Sequence, residues 1–277
     1  VVVDDASTDG TREFLHGYGA AIRLIQRETN SGMCPVTRNQ AARAARGEFV
    51  AFLDSDDVWY PEKLAKQMAF MAAHPDVPMC HTLCDVIDER SRPVGVRHGA
   101  GAVPATGWIF EPLLDHCWIT ISTVLARRAL FDAVGGFCED RETGIIGEDQ
   151  DFFLRVARAH PIGLVAEVLA GYRKTPAGIS RNRWKSIPES QSFNEILLKR
   201  RQIWEGVVPR RRVVAAHSRA CLANAAHWRG QGASRRALYF CWRGLRHDPA
   251  NARLWDEAAR SLYRLARPAR RPMAVPP

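Results

Sequence analysis

At 277 residues and 46% apolar content, the chain can bury one substantial core plus a smaller appendage, and no run approaches the roughly eighteen apolar residues of a membrane span. Its seven cysteines are scattered and odd in number, which argues against a disulfide framework, and with no secretory signal visible a reducing cytosol is the expectation. The net charge of +9 is unevenly held: residues 1–189 carry 21 Lys plus Arg against 25 Asp plus Glu, whereas residues 190–277 carry 18 against 5.

Val1-Val2-Val3 predicts a first strand that ends in Asp4-Asp5, followed by a helix over 11–18 and a strand over 21–26. A helix over 36–46 starts near Pro35 and carries Arg38-Asn39. The run from Glu48 to Leu53 reads as a short buried strand over 48–53, and it delivers Asp54-Ser55-Asp56-Asp57 to its C-terminal edge. That edge is where open α/β sheets place their ligands. Pro61 suits the first turn of a helix over 61–74. Strand character continues over 77–86, where Cys80-His81 with Cys84 lacks the second ligand pair of a structural zinc site. A strand over 119–126, a helix over 127–134, a helix over 148–159 opening on Glu148-Asp149-Gln150-Asp151, and a strand over 162–173 complete the first part. Trp108 and Trp118 either flank a stretch that would face a ligand or, as most aromatics do, lie in the core.

The two acidic clusters carry the chemistry. In an extended segment residues i and i+2 project to one side, so Asp54 and Asp56 can reach one hard divalent cation while Ser55 points away. The same residues also suit a solvated turn that caps the next helix. Crowding of Glu148, Asp149 and Asp151 raises at least one carboxyl pKa and favours a general base, whereas the helix N-terminus favours the charged form. The bland alternative is a helix whose first turn is merely acidic. Arg38 either faces a ligand phosphate or lies on the solvated side of its helix.

Residues 190–277 read as a separate helical module, with helices around 191–205, 213–229, 233–247 and 251–266 broken by Pro209, Gly230-Gln231-Gly232 and Pro249. Trp228, Gly232, Ala237, Pro249 and Asn251 fall at offsets that resemble a tetratricopeptide unit, about one and a half repeats of it. One repeat cannot bury its own face, so it is expected to pack on the rest of the chain or on another copy. Its arginines are either a solvated face or an attraction for anionic lipid headgroups. Nucleic acid ranks last, because interleaved aromatics and zinc-finger or basic-zipper spacings are absent.

Taken in order, Asp4-Asp5-Ala6-Ser7-Thr8-Asp9-Gly10-Thr11, Asn30-Ser31-Gly32, Arg38-Asn39 and Leu53-Asp54-Ser55-Asp56-Asp57 resemble the nucleotide-binding half of glycosyltransferase family 2. Ser122-Thr123-Val124-Leu125, Gly135-Gly136-Phe137 and Gly147-Glu148-Asp149-Gln150-Asp151 agree with it, so the resemblance covers about residues 1–182. It implies a GT-A fold, a mixed, mostly parallel sheet with flanking helices, in a domain over 1–189, followed by an all-α extension over 190–277. It further implies inverting transfer from a nucleotide diphosphate sugar, commonly uridine-linked, to a saccharide or lipid-linked acceptor in cell-surface polysaccharide or glycoconjugate synthesis. By resemblance Asp5 would accept a hydrogen bond from the base, Asp54 would lie near the ribose and the hydrated metal, and Asp56 would bind magnesium or manganese. Arg38 would touch a donor phosphate, and Asp149 would be the catalytic base.

Two departures stand out. Where relatives carry a histidine after a Tyr-Arg pair, this chain reads Tyr172-Arg173-Lys174-Thr175, and Thr175 is a poor metal ligand. The family also places a strand, a helix and a loop before the Asp-Asp, which makes an upstream strand beside residues 1–3 an expectation. Cysteine usage makes a cytoplasmic protein the expectation, and the arginine-rich tail adds peripheral contact at the inner face of an anionic membrane. A non-catalytic descendant that binds a nucleotide, or a partner through its helical tail, is the alternative, although a binding module needs no base.

Overall fold

A computed structural model of the chain describes residues 1–96, 106–140, 147–175 and 193–266. The chain divides into two units, Val1–Ile187 and Pro188–Pro277.

In the first unit β1 (Val2–Asp4) pairs in parallel with β2 (Leu24–Gln26), and α1 (Thr11–His16) lies between them in the chain. Next comes α2 (Cys34–Ala44), with Pro35 in its first turn, where a missing N–H costs nothing. A six-stranded sheet follows, built from β3 (Phe49–Ala51), β4 (Val58–Trp59), β5 (Met79–Ile87), β6 (Pro93–Val96), β7 (Leu125–Arg127) and β8 (Ile162–Arg173). Its order is β3-β7-β5-β8-β4, with β6 on β5. Parallel pairing runs along the long β5–β8 ladder, and the other pairs are antiparallel. Among the described residues no strand joins the β1–β2 pair to this sheet, so β1 and β3 each keep one edge without a strand partner.

The helices of this unit are α3 (Lys63–Ala73), α4 (Phe110–Asp115), α5 (Arg128–Val134) and α6 (Glu148–Ala157). Met71 of α3 packs on Cys80 and Leu125 to form one apolar cluster. A second, aromatic cluster does more for the site. Phe137 and Phe152 meet at a tilt of 36° with centroids 4.6 Å apart, and Phe52 and Phe131 meet Phe137 at 5.3 and 5.8 Å. Phe52 lies two residues before Asp54, and Phe152 three residues after Asp149, so burial of these rings draws the two acidic clusters to one place.

Several elements differ from expectation. The strand expected over 119–126 is a 3-10 turn, Ile121–Thr123, followed by the short β7. The hydroxyls explain this: Thr123 Oγ1 donates to the Thr120 carbonyl at 2.6 Å and Ser122 Oγ to Asp57 at 2.6 Å, which gives the backbone an alternative to a ladder. β4, β6 and α4 were not expected. Trp108 is 69% exposed rather than core, and Trp118 is half-buried.

The second unit contains α7 (Phe193–Lys199), α8 (Arg201–Trp204), α9 (Arg210–Gly230), α10 (Ser234–Leu245) and α11 (Ala252–Ala266). Small buried residues, Ala225, Ala237, Cys241 and Ala258, allow α9, α10 and α11 to approach closely. At Gly244 an added Cβ would lie 2.5 Å from the tip of the Leu254 side chain, which would have to shift. Among the described residues no helix is long and apolar enough to cross a membrane.

Candidate functional site

Asp54 leaves the sheet just after β3, and two residues outside its own segment shape the loop it opens. Ser122 Oγ accepts from the Asp54 backbone N–H at 3.1 Å and donates to Asp57, and the Ser122 carbonyl accepts from Trp59 Nε1 at 2.7 Å. Arg173, at the end of β8, donates its backbone N–H to Asp57 at 2.9 Å and its Nε to the Asp56 carbonyl at 2.7 Å. Arg173 also reaches the Asp88 carbonyl and Ser91 Oγ, so one guanidinium fastens the acidic loop to the β5–β6 turn. The motifs around Ser122 and Tyr172-Arg173 were visible in the sequence, but neither residue's supporting role was.

Arg38 is the centre of the site. Its side chain is only 11% exposed, which rules out the solvated-face expectation. Nη2 lies 2.9 Å from both oxygens of Asp54, while Nη1 lies 2.8 Å from Asp149 and 3.5 Å from Glu148. Burial alone would weaken its basicity, but the facing Asp149 and Asp54 carboxylates outweigh this and raise its pKa. The guanidinium therefore stays charged and joins the strand-end acids to the helix-start acids.

The neighbouring residue aims it. Asn39 is buried, donates to the Phe137 carbonyl at 2.8 Å and accepts from the Phe137 N–H at 2.8 Å, which fixes the rotation of α2. Gly136 makes this possible: its φ is +67° and an added Cβ would fall 2.6 Å from Asn39 Oδ1.

Repulsion within Glu148, Asp149 and Asp151 was expected. Instead each acid has a cation: Arg38 serves the first two, and Arg155 holds the fully buried Asp151 at 2.8 Å. Gln150 donates to the Leu113 carbonyl at 2.7 Å, so α4, unforeseen in the sequence, helps to orient the start of α6. Asp149 remains about one third exposed and open to a ligand.

Asp56 differs from its neighbours. Among the described residues no other residue donates a hydrogen bond to its carboxylate. Burial pushes its pKa up and the nearby Asp54 charge adds to this, while its own backbone N–H, Arg173 and Arg38 oppose the shift. An exposed, under-satisfied carboxylate beside a second one fits a hard divalent cation. No group of three or more His, Cys, Asp and Glu with metal-holding geometry occurs among the described residues. A cation here would complete its shell with ligand oxygens and water, as magnesium does in phosphate sites.

Asp5 is not joined to this cluster by any hydrogen bond or ion pair. Its carboxylate accepts from Ser31 N at 3.0 and 3.1 Å and from Ser31 Oγ at 2.7 Å, and it forms an ion pair with Arg27 at 2.8 Å. Asp5 thereby ties the end of β1 to the Asn30-Ser31-Gly32 turn that leads into α2. Trp118 Nε1 is buried with no acceptor among the described residues.

Comparison with known proteins agrees with this architecture. Residues 1–117 match the model of the family described as Glycosyl transferase family 2. TuaG of Bacillus subtilis (strain 168), named provisionally as a teichuronic acid biosynthesis glycosyltransferase, is 50% identical over 74 residues, which cover 26% of this chain and 29% of TuaG. EpsE of the same organism, provisionally a glycosyltransferase, is 32% identical over 161 residues, 56% of this chain and 54% of EpsE. The Escherichia coli UDP-Glc:alpha-D-GlcNAc-diphosphoundecaprenol beta-1,3-glucosyltransferase WfgD is 28% identical over 191 residues, 68% of this chain and 70% of WfgD. The chain thus spans about half or less of the two Bacillus relatives. Among solved structures, S. aureus TarS 1–349 in complex with UDP-GlcNAc superposes with a TM-score of 0.61 at 20% identity, covering 95% of this chain and 78% of TarS 1–349. That likeness shows the fold, a GT-A arrangement with helices after it. Over residues 1–117 the chain is thus similar to glycosyltransferase family 2.

Proposed function

We propose that the chain is an inverting, metal-dependent glycosyltransferase that moves a sugar from a nucleotide diphosphate donor, uridine-linked, to an acceptor hydroxyl. The observation that carries this reading is Arg38, which holds Asp54 and Asp149 on one guanidinium and so brings a cation-side carboxylate and a candidate base to a single site. Inversion in one displacement needs one base behind the nucleophile and charge stabilisation at the leaving group.

Asp149 accepts the proton of the acceptor hydroxyl as its oxygen bonds to the anomeric carbon. The bond from that carbon to the diphosphate oxygen breaks, and the nucleoside diphosphate leaves with the electron pair. Asp56, with Asp54 beside it, would hold a magnesium or manganese ion, which when bound supplies positive charge for the diphosphate. Arg38 lies close enough to both acids to meet a donor phosphate, and Asp5 lines the base pocket. The acceptor is a saccharide or a lipid-linked saccharide, a class that WfgD names in its own substrate.

In this reading residues 1–189 form the catalytic domain and residues 190–277 a basic helical extension. The protein works on the cytoplasmic side in cell-surface polysaccharide or glycoconjugate synthesis, with the extension drawn to anionic headgroups and no nucleic acid partner. The direct test is a thermal-shift screen of nucleotide-sugars with manganese, followed by acceptor-dependent release of nucleoside diphosphate. Stabilisation by uridine diphosphate sugars together with turnover supports the reading. Stabilisation without turnover across acceptors would leave a nucleotide-binding protein instead.

A further inference from the structure

In the helical unit α11 turns Leu254, Ala258 and Ser261 inward, and Ala258 joins the small-residue core. The same helix carries a second apolar line. Trp255 and Leu262 are seven residues, two turns, apart and so share one face, and they are 57% and 56% exposed. Ala259 and Ala266 lie along this line, exposed, and Tyr263 lies beside it, also exposed. Trp255 Nε1 already donates to the Pro249 carbonyl at 2.9 Å, which leaves the ring as the exposed part.

Charge lies on the opposite side of the helix, two residues from each member of the apolar line. Arg253, Arg260 and Arg264 are spaced to follow one another up the helix, and all are exposed. The two acids of the helix are already matched: Asp256 pairs with Arg260 at 2.9 Å, and buried Glu257 pairs with Arg229 at 2.5 Å. Residues 190–277 as a whole carry 18 Lys plus Arg against 5 Asp plus Glu. An aromatic and aliphatic face opposite a line of arginines, in a strongly cationic unit, is complementary to an anionic bilayer surface, where the rings enter the headgroup boundary and the positive charge of the unit attracts the phosphates. α11 is too short and too charged to cross a bilayer, so it would lie along it.

We propose that the outer face of α11, through Trp255 and Leu262, inserts into the headgroup region of anionic membranes. This deepens the peripheral contact proposed above from attraction by charge to insertion at a named face, and it does not rest on the assignment of Asp149.

The test uses the full chain with vesicles of phosphatidylcholine alone or with about a third phosphatidylglycerol. Binding is read by co-sedimentation, and insertion by quenching of tryptophan fluorescence with lipids brominated on their acyl chains. The expected result is binding to the anionic vesicles only, quenching that Trp255→Phe largely removes, and a roughly tenfold loss of affinity in Leu262→Gln, the scale of one partly buried leucine. Arg253→Gln with Arg260→Gln should weaken binding and reduce its salt sensitivity. Both apolar positions are exposed, so circular dichroism is expected to match wild type. Salt-reversible binding without quenching, unchanged in Leu262→Gln, would overturn insertion while keeping the contact by charge. Absence of binding to any vesicle would overturn both, and a dimer abolished by Leu262→Gln would assign the face to a second copy instead.

Discussion

Arg38 Nη1 lies 2.8 Å from Asp149 Oδ1, and the same guanidinium lies 2.9 Å from Asp54. One nearly buried cation therefore balances carboxylates from two segments more than ninety residues apart. Removing it should leave two partly buried charges uncompensated. Arg38→Gln is expected to lower the unfolding free energy of the first unit by about 3 kcal/mol, the range for breaking one side of a buried pair. Urea unfolding followed by near-ultraviolet circular dichroism measures this, and a change below about 1 kcal/mol would show that the pair is energetically idle.

Gly136→Ala tests how Arg38 is aimed. The added methyl would sit 2.6 Å from Asn39 Oδ1 and 2.9 Å from Phe131, at a positive φ. We expect a loss of about 2 kcal/mol from strain and displacement. Asn39 would have to move, so Arg38 should lose its register with the acids. A variant as stable as wild type would mean that the Asn39–Phe137 bonds do not fix α2.

How much of this was legible in the sequence follows from the range of each interaction. Asp54, Asp56 and Asp149 could be picked out because an apolar strand ending in acids and an acid-rich helix start are local patterns. The role of Arg38 as a bridge could not, because its aim depends on Asn39 bonding to Phe137, 98 residues away. β4 has two residues and β6 four, too short for a period to emerge, and α4 shows only a six-residue span. The expected strand over 119–126 failed because Ser122 and Thr123 bond through their hydroxyls, an effect that propensity does not register. Trp108 shows that an aromatic ring in a loop need not be core.

Acid should destabilise the helical unit through His217. Burial is the main reason its pKa falls to about 4 from 6.5, with the His247 charge also lowering it and the bond to the Arg243 carbonyl opposing. The unfolded chain then binds a proton that the folded one refuses between these values. Stability from this group is complete above pH 6.5 and is lost as pH falls toward 4, by about 3 kcal/mol in all. Thermal unfolding of the full chain across pH 4 to 7, against His217→Leu, checks the sign. A wild-type profile as flat as that of the variant would contradict it.

Asp56→Ala should abolish metal-supported donor binding while leaving the Arg38 bridge intact, because Asp56 takes no part in that bridge. Calorimetry with a uridine diphosphate sugar, with manganese and then with excess chelator, measures it. Wild-type affinity should fall when manganese is removed, whereas the variant should bind equally weakly in both conditions. An unchanged manganese-dependent affinity in Asp56→Ala would remove this residue from the metal site.

The central claim is that Asp149 is the base, and Asp149→Asn tests it most directly, since the amide keeps the shape but cannot take the proton. Donor affinity by calorimetry should stay near wild type, while acceptor-dependent transfer falls by at least about 10²-fold, the lower range for loss of a general base. Near wild-type transfer by Asp149→Asn, with the donor equally well bound, would contradict the account.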